Sequence, residues 1–106
     1  MSKRKVRESA IETLFREGVE ALGGKAYKFV SPGEAGVYDR IVVLPYLPVH
    51  FVELKRPGRD LDPLQVLFRD YVAERGHPHA MLDSAPAVAT WLAERAREIA
   101  RRRKLS

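Results

Sequence analysis

"GVYDRIVVLPYLPVHFVELKR", residues 36–56, decides the reading of this chain. Two apolar, β-branched runs, "RIVVL" and "VHFVEL", flank the proline-bounded turn "PYLP", which predicts a hairpin of strands over about 39–44 and 49–56. Side chains alternate faces along a strand, so Glu53 and Lys55 share a face with Phe51 and Val49. Pairing about the turn sets Val43 against Val49, Ile41 against Phe51 and Asp39 against Glu53. Directly opposed side chains lie about 5 Å apart, where two carboxylates repel. A divalent cation between them would offset that repulsion, with Lys55 as a further positive charge. "ELK" alone is common and often only closes a strand with a solvated ion pair. An acid opening one strand, thirteen intervening residues, then acid–apolar–lysine ending the next is far more selective.

Working outward, residues 7–22 carry Ile11, Leu14, Phe15, Gly18, Val19 and Leu22 on one helical stripe, and "GG" at 23–24 ends it. Glu8 projects about 40° from the centre of that stripe and Glu12 about 80°. An acid at the buried edge of a helix start implies a partner, although an acid in the first turn also complements the helix dipole. Glu12 reads as solvated. "KAYKFV" (25–30) predicts a strand and "SPGEAG" a loop. Asp62 suits a helix N-cap, with Pro63 opening a helix that runs to Gly76. "HAMLDS" (79–84) predicts a fourth strand. A C-terminal helix over 86–104 has Val88, Trp91, Leu92, Ala96 and Ile99 as its apolar stripe. The order α–β–β–β–α–β–α implies an α/β fold, a mixed central sheet flanked by helices.

With 106 residues, the chain is expected to form one domain over 1–106 with one modest core. The absence of cysteine excludes disulfides and thiolate metal sites, and three histidines do not make a structural zinc site. No apolar run approaches the roughly 18 residues of a membrane span and no signal-peptide pattern opens the chain, so a cytoplasmic protein is expected. A net charge of +5 and a pI near 9.8 favour an anionic partner, nucleic acid foremost. The charge concentrates in "SKRKVR" and "RAREIARRRKLS" at the two ends, which read either as phosphate contacts or as solvated tails.

The opening helix ending in "ALGGKAYKFVSPGEAGVYDR", followed by "FVELKRPGRDLDPLQ", resembles the VRR-NUC nuclease domain over about residues 8–88. VRR-NUC is a branch of the restriction-endonuclease-like PD-(D/E)XK superfamily. The resemblance implies an α-β-β-β-α-β core with an extra, basic C-terminal helix. It implies that Asp39 and Glu53 bind metal, that Lys55 is the catalytic lysine, that Glu8 is the helix-one acid, with Glu12 as its alternative, and that Gln65 is the helix-two glutamine near the site. The family's "PDR" appears here as "YDR", with Tyr38 in place of proline. Stand-alone relatives of this kind occur in bacteriophages and act on branched DNA, often as homodimers.

The expected activity is therefore an Mg²⁺- or Mn²⁺-dependent DNA endonuclease selective for Holliday-type junctions or other branched DNA, in a bacterial or phage-infected host cytoplasm. Asp39, Glu53, the Leu54 carbonyl and Glu8 would surround the ion. Lys28, Arg40, Arg56 and Arg59 cluster in sequence around the site as candidate phosphate contacts. The competing readings are a catalytically silent nucleic-acid-binding module of the same fold and an interaction domain of a replication complex. Neither explains why a repelling acid pair is kept beside a lysine.

Overall fold

In the computed structural model, which describes the backbone from Lys3 to Ser106 and the side chains from Ala10 onward, helix α1 spans Lys3–Ala21. Strands β1 (Lys25–Lys28), β2 (Arg40–Val43) and β3 (His50–Leu54) follow, then α2 (Pro63–Glu74), β4 (His79–Leu82) and α3 (Ala85–Leu105). The strands form one sheet in the order β1-β2-β3-β4. The β1–β2 and β2–β3 pairs are antiparallel, and β3–β4 is parallel. The parallel pair follows from its connection, because α2 carries the chain back to the starting end of β3. This is the expected mixed α/β sheet.

Hairpin register agrees with the sequence: Arg40 pairs with Val52, Ile41 with Phe51 and Val42 with His50. All strands are shorter than predicted. Asp39 immediately precedes β2 and Lys55 immediately follows β3, although the Lys55 N–H still donates to the Leu82 carbonyl at 2.9 Å. At the turn, Tyr46 takes φ 65°.

Local signals set the ends of the helices. Gly23, at φ +90°, closes α1 in a Schellman arrangement, its N–H donating to the Glu20 carbonyl and that of Gly24 to the Val19 carbonyl. At α3 the Ser84 side chain accepts from the Ala87 N–H at 3.1 Å. At α2 Pro63 follows the extended N-cap Asp62, whose N–H donates to the Gln65 side chain at 2.9 Å.

One face of the sheet packs beneath α1 and α3. Phe15, Val19, Val42, Leu44, Val52, Leu82, Val88, Trp91 and Ile99 are buried together there. Gly18 lets the helices approach closely, since a Cβ at that position would collide with Leu92. Leu14, expected on the buried stripe, is 41% exposed. On the opposite face α2 lays Phe68 against Phe51 and Tyr38, with ring centroids 5.5 and 5.1 Å apart. No helix among the described residues is long and apolar enough to cross a membrane.

Candidate active site

The hairpin brings its two acids together where the ladder ends. Glu53 is the penultimate residue of β3, on the face covered by α2, and is only 7% exposed. Its Oε1 accepts the Asp39 backbone N–H at 3.1 Å, and its Oε2 lies 4.0 Å from Lys55 Nζ. Lys55 Nζ also lies 3.9 Å from Asp62. Burial first, and then the Asp39 carboxylate, push the Glu53 carboxyl above its ordinary range. The Asp39 N–H, Lys55 and a hydrogen bond from Gln65 oppose that shift without cancelling it. Gln65, itself buried, thus accepts the Asp62 N–H at the α2 N-cap and stands close enough to Glu53 to favour its charged form. Its capping role and its place beside the site are one arrangement.

The Asp39 carboxylate divides its two oxygens. Oδ2 accepts from Arg40 at 2.9 Å, whereas Oδ1 is buried without a hydrogen-bond partner. An unpartnered buried carboxylate oxygen beside a second buried carboxylate is costly, and a hard divalent cation relieves both defects at once. Asp39 and Glu53 therefore fit such an ion. Among the described residues no third acid, histidine or cysteine completes a ready-made ligand cluster. Glu8 lies in α1, and its side chain lies outside the described residues.

Glu12, read from the sequence as solvated, is instead engaged. It lines a cleft of about 200 Å³ together with Glu53, Leu54, Lys55, Arg56 and Arg59. Its carboxylate sits 3.3 Å from the Arg40 guanidinium and 4.0 Å from Lys28 Nζ. Arg40 itself corrects an expectation. Its side chain is 8% exposed and is shared between Asp39 and Glu12, so it braces two acids rather than presenting a charge to phosphate. Arg56 and Arg59 do border the cleft, at the "RPGR" turn where the Arg59 N–H donates to the Arg56 carbonyl and Gly58 takes φ +82°. Lys28 reaches the far side of Glu12 and is well exposed. Sequence spacing missed the Arg40 brace because the contact joins β2 to α1, 28 positions away in the chain. Its only signal was the arginine directly after the acid.

Comparison with known proteins decides the family. No family model matches the sequence. The chain is 44% identical over 81 residues to "Putative nuclease p44" of Acyrthosiphon pisum secondary endosymbiont phage 1, covering 76% of this chain and 87% of that protein. A solved structure described as "VRR_NUC domain" superposes with a TM-score of 0.77 at 28% identity, over 82% of this chain and 95% of that one. The chain belongs to the VRR-NUC nuclease family. The fold is accordingly restriction-endonuclease-like, and the VRR-NUC chain is a nuclease by family. Tyr38, standing where the family motif has proline, is fully buried against Phe68, so ring packing instead of a fixed φ holds the backbone that leads into Asp39. Burial also pushes the Tyr38 hydroxyl above its ordinary pKa.

Proposed function

We propose that this VRR-NUC protein is a divalent-metal-dependent DNA endonuclease, selective for branched DNA such as four-way junctions. The observation that carries this reading is the convergence of the buried Glu53 carboxylate with the half-buried Asp39, whose Oδ1 is buried and unpartnered, beside Lys55 and the cleft. Asp39 and Glu53 would hold Mg²⁺ or Mn²⁺, joined by the Leu54 carbonyl, with Glu8 or Glu12 as the acid contributed by α1. Bound there, the ion supplies Lewis-acid polarisation of the phosphate and lowers the pKa of a coordinated water.

The chain's own residues do the rest. Lys55 orients the attacking water and offsets negative charge on the transition state. Gln65 fixes the Glu53 carboxylate, and Arg40 fixes that of Asp39. Arg56 and Arg59 at the lip, and Lys28 beyond Glu12, steer phosphates by charge. One such site cuts one strand, so paired incision of a junction calls for two copies. The exposed apolar stripe Leu64, Leu67 and Tyr71 on α2 is the surface that supports a homodimer. A cysteine-free chain suits the reducing cytoplasm of a bacterium or an infected host.

The test is cleavage of labelled duplex, flap and four-way-junction DNA with Mg²⁺ or Mn²⁺, beside Glu53→Ala and Lys55→Ala, with the oligomeric state measured alongside. Metal-dependent cutting of branched DNA that both variants lose is expected. Undiminished cutting by both variants sinks the site assignment, and salt-sensitive binding without cutting by the wild type indicates a silent binding module.

A further inference from the structure

A second cavity, of about 350 Å³, adjoins the catalytic cleft, and Glu12 lines both. Glu12, Thr13 and Arg16 from α1 form one wall; Lys28 of β1 and Arg40 of β2 form the other. Three cations thus face a single carboxylate. Arg40 is committed to Asp39 and Glu12. Lys28 stands 4.0 Å from Glu12 with 68% of its side chain exposed. Arg16 is exposed, and among the described residues no carboxylate is ion-paired with it. Thr13 adds a hydroxyl donor on the same helix wall.

We infer that this cavity is a second phosphate subsite, taking a phosphodiester of the cleaved strand that flanks the scissile one. Arg16 and Lys28 bind its oxygens as charge-assisted donors, while Glu12 separates it from the reacting phosphate. The position follows from Glu12 being the shared wall: an anion seated against Arg16 lies directly beside the catalytic cleft, within reach of the same strand. The inference rests on the nuclease reading above and adds a group, Arg16, that sets substrate affinity without touching the reacting atoms.

The experiment uses the full chain and the DNA it cuts fastest, prepared with a single uncharged methylphosphonate at each position flanking the cut. Arg16→Ala should raise KM about tenfold while kcat stays within about twofold, the loss of one charge-assisted contact. One methylphosphonate position should reproduce that rise in the wild type and add less than about twofold in Arg16→Ala, since the two changes remove the same contact. Arg75→Ala, which removes an equal charge at the far end of α2, should change KM less than about twofold. Thermal melting confirms that the variants fold. Metal-free binding of a fluorescein-labelled oligonucleotide is measured in parallel, and Arg16→Ala should weaken it about tenfold. Equal KM values for Arg16→Ala and Arg75→Ala, or a methylphosphonate effect that Arg16→Ala leaves intact, overturn the subsite. If the wild type cuts no DNA the nuclease reading fails, and the binding measurement alone then judges the subsite.

Discussion

Replacing Arg40 with Met tests whether the site depends on its brace. The Arg40 side chain is 8% exposed, and its guanidinium reaches Asp39 at 2.9 Å and Glu12 at 3.3 Å. Met keeps most of the apolar volume of the arginine stem, so the change removes charge and hydrogen bonds without opening a large cavity. A charge-assisted hydrogen bond such as that to Asp39 is worth about 1.5–3 kcal/mol. The side chains of Asp39 and Glu12 are 42% and 45% exposed, so water partly replaces the lost partner. The longer Glu12 contact is then worth no more than about 0.5 kcal/mol. Together these give a loss of about 2 kcal/mol, or roughly 10 °C in Tm for a chain of this size. Releasing Asp39 Oδ2 also lets the carboxylate drift, and a misplacement of order 1 Å costs up to about 100-fold in rate. Urea unfolding followed by circular dichroism reads the first quantity, and single-turnover cleavage at saturating metal reads the second. Arg40→Lys, which restores charge without the two-pronged geometry, should fall between wild type and Arg40→Met in both. An Arg40→Met protein within about 0.5 kcal/mol of wild type and cutting at the same rate would refute the brace.

Glu53→Gln should abolish cleavage yet match or exceed wild-type stability at neutral pH without metal. The amide oxygen still accepts the Asp39 N–H, while the cost of a buried charge beside Asp39 is gone. Because burial raises the folded Glu53 pKa above its ordinary 4.5, that advantage should vanish below about pH 4.5 and emerge as pH rises through the folded value. Adding Mg²⁺ or Mn²⁺ at ten times its Kd should stabilise the wild type by about 1.4 kcal/mol in a melting assay. The same addition should leave Glu53→Gln nearly unmoved.

His50 is buried against Trp91, and its Nδ1–H donates to the Pro48 carbonyl at 2.8 Å. Burial lowers its folded pKa, so the unfolded chain takes up the proton first. Stability should be full above pH 6.5 and decline as pH falls below it, a segment of the pH profile that His50→Leu should lack. Gly36 takes φ +90°, and a Cβ there would come within 2.5 Å of the Leu64 carbonyl oxygen. Gly36→Ala should cost about 3 kcal/mol in urea unfolding and lower activity by displacing the α2 start that carries Gln65.

Much of the fold was legible because its signals are local. Strand alternation around "PYLP" set the hairpin register, and with it the meeting of Asp39 and Glu53, since a slip of one residue would put the two acids on opposite faces. Pro63 after Asp62, and Gly23 after Leu22, marked helix ends for the same reason: capping is decided within a few residues. Leu14 was misjudged because helical periodicity locates an apolar stripe without showing how far the neighbouring elements extend over it.

The sequence by itself determined the order of elements, the pairing of the central hairpin and the meeting of Asp39, Glu53 and Lys55 at its end, because each depends on residues close in the chain or on a strict period of two. Only the tertiary structure decided that Arg40 is buried between Asp39 and Glu12, that the capping Gln65 stands beside Glu53, and that Glu12 stands between two cavities. Those relations join α1, α2 and the sheet through packing, and no periodicity encodes the angle at which a helix crosses a sheet.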